Sequence, residues 1–129
     1  MIRYMLDTNT IAYAINRRRA LVLNRLIQHE PSEICISSIT MAELEYGIFN
    51  SSKPAQNRMA LLQFLAGIRV LPFDSGAAYE YGEIRQKLKS QSGNDMLIAA
   101  HAKALNLILV THNTKEFNRI GSLKVEDWI

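Results

Sequence analysis

A three-layer α/β domain, with a mostly parallel central sheet covered on both faces, is the fold class the sequence predicts. Three short apolar stretches at 2–6, 33–37 and 107–111 lack polar alternation, as strands buried on both faces do. Each is followed at once by polar residues and then by a helical pattern. This strand-then-helix order recurs along the chain, which is the arrangement of parallel βαβ units.

The elements follow in order. The first strand runs from 2 to 6 and breaks directly into Asp7-Thr8-Asn9, with helices expected over 10–16 and 21–29. The second strand, 33–37, passes through Ser37-Ser38 into a helix over 39–50, and a further helix is expected over 57–67. Residues 69–73 form a weaker strand. Pro72 cannot donate to a ladder, which suits a sheet edge or the last residues of a strand. Asp74, followed by Ser75-Gly76-Ala77-Ala78, reads as the N-cap of a helix over 75–90. The helix over 94–106 carries Asp95-Met96-Leu97-Ile98-Ala99-Ala100-His101-Ala102 and is apolar almost all round, so it is expected in the interior with its N-terminus aimed at something central. The third strong strand ends in Thr111-His112-Asn113, and 124–128 is a second weak strand.

With 129 residues, the chain is read as one domain over 1–129, large enough for a core that needs no disulfide or structural metal. A hydrophobic fraction of 48% beside 21% charged residues argues against disorder. The one cysteine, Cys35, lies inside Ile34-Cys35-Ile36; it excludes a disulfide framework and a cysteine zinc cluster, and suits a reducing compartment. No signal-peptide stretch and no membrane-length apolar run is present, so a cytoplasmic protein without membrane contact is expected. A formal charge of +3 permits nucleic-acid binding without requiring it, and the run Arg17-Arg18-Arg19 is read as a solvated helix end or loop.

Parallel sheets put ligand sites beyond the carboxyl ends of their strands, so the residues there should converge. They are Asp7, then Glu43 one turn into the helix after the second strand, then Asn113 after the third, joined by Asp95 at the helix start. Each acid has a bland alternative. Asp7 could cap a helix, Thr40-Met41-Ala42-Glu43 fits a capping box, and Asp95 in a first turn suits the helix dipole. Together, three carboxylates gathered from separate elements repel one another, and a divalent cation is the ordinary relief. The donors are all oxygens, which favours Mg2+ or Mn2+ over zinc and makes phosphodiester hydrolysis the economical reaction. His29, His101 and His112 are read as structural or surface residues. No phosphate loop, nucleophile elbow or dinucleotide fingerprint occurs.

The blocks Met5-Leu6-Asp7-Thr8-Asn9, Ser37-Ser38-Ile39-Thr40-Met41-Ala42-Glu43-Leu44 with Tyr46-Gly47, Asn94-Asp95-Met96-Leu97-Ile98-Ala99-Ala100-His101-Ala102, Leu109-Val110-Thr111-His112-Asn113 and Val125-Glu126-Asp127-Trp128 follow one another along nearly the whole chain. In this the chain resembles the PIN-domain ribonucleases, in particular VapC-type toxins of bacterial toxin-antitoxin modules. The resemblance implies a PIN-like α/β/α fold and a Mg2+- or Mn2+-dependent endoribonuclease acting on structured, tRNA-like RNA. It also implies a homodimer held inactive by a VapB-type antitoxin whose tail fills the active-site groove. Asp7, Glu43 and Asp95 would be the catalytic metal ligands. Asn113 stands where the family often has an aspartate, so it would orient a water or ligate through its carbonyl, while Thr111 and Thr8 would hydrogen-bond the ligand carboxylates. The connection Lys89-Ser90-Gln91-Ser92-Gly93-Asn94 is shorter than is usual in related toxins. Tyr46, Phe49 and Phe64 are available to the antitoxin groove, although their helical spacing favours core packing.

Two rival functions are weaker. A haloacid-dehalogenase-type phosphatase needs a second acid where Asn9 stands and lacks its later lysine and paired acids. A catalytically impaired PIN-like RNA- or protein-binding module draws its support from Asn113.

Overall fold

The computed structural model describes residues 1–16, 20–89 and 93–129. The basic run at 17–19 and the centre of the 89–94 connection, residues 90–92, lie outside the described residues. The elements are β1 (Tyr4–Leu6), α1 (Thr8–Ile15), α2 (Ala20–Leu26), a 3-10 turn (Pro31–Glu33), β2 (Ile34–Ser37), α3 (Ser38–Phe49), α4 (Pro54–Phe64), β3 (Arg69–Leu71), α5 (Ser75–Lys87), α6 (Asn94–Ala104), β4 (Ile108–Val110), α7 (Thr114–Phe117) and β5 (Lys124–Glu126).

The strands form one sheet in the order β3-β2-β1-β4-β5, with every pairing parallel. Tyr4 aligns with Ile34 on one side and with Ile108 on the other, and β1 and β2 are buried throughout. The chain builds outward from β1 through β2 to β3, then returns to the far side of β1 with β4. The strand order therefore reverses between β1 and β4, and a crevice opens beyond their carboxyl ends.

Alternation along β1 separates two cores. Met5, with Cys35 and Leu109, faces a cluster built from Ile84 of α5, Met96, Ala99 and Ala100 of α6, and Phe117 of α7. Tyr4 and Leu6, with Ile34, Ile36 and Val110, face Ile11 of α1, Ile48 of α3, Leu61 of α4 and Trp128. The predicted α/β/α layering is thus present, with α6 buried along Ile98–Ala102 as its composition required. Cys35 is fully buried, and burial pushes its thiol up to about 12, which makes it an inert core residue.

Several boundaries depart from expectation for local reasons. α1 starts at Thr8 because Asp7 itself is the cap, and α4 starts at Pro54, whose fixed φ and missing N–H suit a first helical position. The 3-10 turn and α7 are too short to leave a periodic signal. β3 occupies a sheet edge and stops before Pro72. Tyr46 and Phe49 are not core residues: they are 72% and 74% exposed, because α3 packs through Thr40, Met41, Leu44 and Ile48 on its other side. Phe64 is partly buried against the α1, α3 and α4 core.

Asp74 is a helix cap, its Oδ1 accepting from the Ala77 N–H at 3.0 Å. Asp74→Ala is expected to cost about 1 kcal/mol in a denaturant titration. Any RNA cleavage by the protein should be unchanged.

Candidate active site

Asp7 ends β1 at the crevice and is 8% exposed. Its backbone N–H donates to the Val110 carbonyl at 3.0 Å, which pins it between β1 and β4. Its Oδ1 accepts from the Thr10 N–H at 2.9 Å, so the N-cap reading is correct as far as it goes. That bond uses one oxygen. The other carries no hydrogen bond among the described residues and is available to a ligand.

Glu43 does not form the capping box. α3 is capped by Ser37, whose Oγ accepts from the Ile39 N–H at 3.1 Å, so Thr40 lies inside the helix and its hydroxyl has no partner among the described residues. Glu43 turns instead toward α1 and α6: its Oε1 accepts from the Thr8 hydroxyl at 2.5 Å and its Oε2 from the Asn94 amide at 3.2 Å. Three elements thereby hold one carboxylate.

Asp95 sits in the first turn of α6 on the exposed rim. A helix N-terminus favours the ionised acid, yet its pKa is raised. Partial burial of the carboxyl is the first cause, followed by the negative charges of Asp7, Glu43 and Glu116. Asp7 after β1, Glu43 within α3 and Glu116 of α7 therefore all act on Asp95 at the start of α6.

Glu116 is the residue that sequence reasoning missed. Asn113 precedes α7, and its side-chain amide donates to Glu116 Oε2 at 3.0 Å. The pattern Asn113-Thr114-Lys115-Glu116 fits a local helix start, a signal that could have found the short helix and with it the acid. Thr111 is buried, but its Oγ1 does not bond an acid. It accepts from the Asn113 N–H at 3.1 Å, so its influence runs through the loop carrying Asn113 and Glu116.

The histidines stay outside this constellation. His101 is buried, with Nδ1 2.9 Å from Ser37 Oγ, and burial lowers its pKa, so the ring is neutral. His112 pairs with Asp127 at 3.0 Å on the surface, and His29 stacks on Trp128.

The donor set fits a hard divalent cation. All four acids offer oxygen, and the pKa of Asp95 is raised first by burial and then by the like charges of Asp7, Glu43 and Glu116, which a cation would offset. Among the described residues no three such groups are already drawn into a ligand cage.

A family model for the PIN domain matches residues 4–123. The chain is 40% identical over 133 residues to Ribonuclease VapC2 of Haemophilus influenzae, covering all of both sequences. It is 40% identical over 132 residues to the tRNA(fMet)-specific endonuclease VapC of Shigella flexneri, covering 99% of each. Among solved structures it resembles the Rickettsia felis VapBC2 complex bound to a DNA fragment from its promoter, with a TM-score of 0.89, 42% identity and full coverage of both chains. The DNA-bound VapBC of Salmonella typhimurium gives a TM-score of 0.92 at 37% identity, again over the full length of both.

Proposed function

The chain belongs to the PIN-domain family as a VapC-type member, and on that premise we propose that it is a divalent-metal-dependent endoribonuclease toxin neutralised by a VapB-type antitoxin. The observation that carries the chemistry is the junction where Thr8, next to Asp7, and Asn94, next to Asp95, both donate to Glu43, beyond the strand ends where the strand order reverses. A structured RNA with a tRNA-like stem and loop is the substrate class, supported by the activity for which the Shigella relative is named. A homodimer in the cytoplasm is part of the same reading; among the described residues no helix is long and apolar enough to cross a membrane.

Asp7, Glu43 and Asp95, with Glu116, would hold Mg2+ or Mn2+, which would supply a Lewis acid for phosphate and lower the pKa of an attacking water. The protein's own part is orientation. Thr8 and Asn94 each occupy one oxygen of Glu43 and leave the remaining lone pairs aimed by the α1–α3–α6 junction. Asp7 keeps one oxygen on the backbone and one for the ligand. Asn113 donates its amide to Glu116, so its side-chain carbonyl remains able to accept from a water.

The reading is tested by co-expression with and without the antitoxin and by cleavage of a tRNA substrate in vitro. EDTA should stop cleavage and Mg2+ or Mn2+ restore it; growth arrest retained by Asp7→Asn would sink the nuclease mechanism. Thr8→Val removes the hydroxyl on Glu43 and is expected to lower activity or metal affinity by roughly 10- to 100-fold, read as a shifted Mg2+ titration.

The binding-module reading rests on the neutral Asn113. Glu116 beside it returns the negative charge that Asn113 lacks, which favours the enzyme.

A further inference from the structure

Two exposed aromatic rings stand on α3, and among the described residues one of them has a cation on its face. One face of the Phe49 ring is taken by the Arg58 guanidinium at 4.8 Å, itself anchored on Glu45 at 2.8 Å. Tyr46 is 72% exposed and has no hydrogen bond, ion pair or ring contact among the described residues. It lies three residues after Glu43 on the helix, a spacing that puts the two side chains on neighbouring positions of one face. Thr8, Ile39, Ala42, Glu43, Tyr46 and Asn94 line a single open recess of about 610 Å³, so the ring and the carboxylate border the same space. That volume is within the range of small-ligand sites, with room for a nucleoside.

From this juxtaposition we infer that Tyr46 is a base-stacking subsite, on which an unpaired nucleobase next to the scissile phosphate lies while the phosphate reaches the acids. The inference rests on the nuclease reading and assigns it a point of grip. A metal held by the acids would engage only the phosphate, which every nucleotide carries, so a grip on the base beside it has to come from another contact. An exposed aromatic face supplies one, tolerates any base, and selects single-stranded loops over duplex, whose bases are already stacked. Ile39 and Ala42 add apolar groups to the lining of the recess, and Thr8, Glu43 and Asn94 add polar ones.

The test compares wild type with Tyr46→Ala, Tyr46→Phe and Tyr46→Trp on a hairpin RNA with an unpaired loop and on a fully paired duplex. In Mg2+-supported cleavage Tyr46→Ala should raise KM for the hairpin roughly tenfold with kcat changed by no more than about twofold, while the Phe and Trp variants keep the wild-type KM. A second arm measures fluorescence anisotropy of labelled hairpin with Asp7→Asn and with Asp7→Asn/Tyr46→Ala. The same roughly tenfold weakening is expected there, with none for duplex. If no metal supports cleavage by the wild type, the nuclease reading fails, and the anisotropy arm still decides the stacking subsite. Unchanged KM and unchanged hairpin affinity in Tyr46→Ala would overturn the proposal, as would a defect confined to binding of the antitoxin protein.

Discussion

Asp7→Asn and Asp95→Asn are each expected to lower RNA cleavage by about 10³-fold, while leaving the metal-free protein as stable as the wild type or more so. The two halves of this result discriminate between caps and ligands. Asparagine at position 7 can still accept from the Thr10 N–H, so the start of α1 survives and only the charge is lost. Asp7→Ala removes the cap as well and should cost about 1 kcal/mol more. At position 95 the sign follows from linkage. The folded pKa is raised by partial burial and by Asp7, Glu43 and Glu116, so ionised Asp95 opposes folding. That cost is fully present above the folded pKa and vanishes as the pH falls below the ordinary carboxylate value. The stability advantage of Asp95→Asn should therefore be visible in thermal melts with chelator at neutral pH and shrink toward a pH of about 4. Added Mg2+ should reverse the order, stabilising the wild type but not the variant. Full cleavage by the alanine variants, with a loss of about 1 kcal/mol each, would make these residues caps and move the site elsewhere.

Strong strands and the long helices were legible in the residues because their signals are local and repeated. Ile34-Cys35-Ile36 and Leu109-Val110 have no polar alternation, and a strand buried on both faces is the physical state that permits this. That Asp7 and the helix carrying Glu43 would meet at one end of the sheet was legible by one further step, because a parallel sheet sends every strand end to the same side, whereas Asp95 follows no strand and was expected there only from the buried helix it opens. Orientation about a helix axis was not. Tyr46 and Phe49 have the spacing of core residues, and only the packing of α3 through Leu44 and Ile48 shows which stripe faces solvent. Glu43 illustrates the same limit: its pattern fits a capping box, and the choice of Ser37 as cap, the last residue of the strand, is what frees it for Thr8 and Asn94. α7 escaped because four residues hold no period, and with it went the contribution of Glu116.

Glu116→Gln provides the second large effect and decides how the neutral Asn113 is to be understood. If Glu116 supplies the charge that Asn113 does not, its amide variant should lose roughly 10²-fold in cleavage and require more Mg2+ for half-maximal activity. Asn113→Ala should do less, about tenfold, because it removes an orienting amide and leaves the acid in place. Asn113→Asp is the informative complement. It would lose the amide that donates to Glu116 and set two carboxylates where one hydrogen bond now lies, so the metal-free protein should be less stable and bind Mg2+ more tightly. The pair of measurements separates two designs that share the same sequence motif. With a charged Glu116 behind a neutral Asn113, the site keeps four carboxylates while one strand-end position is reserved for aiming water. A wild-type response from Glu116→Gln, together with complete loss in Asn113→Ala, would leave only three functional acids and put the fourth role on Asn113 itself.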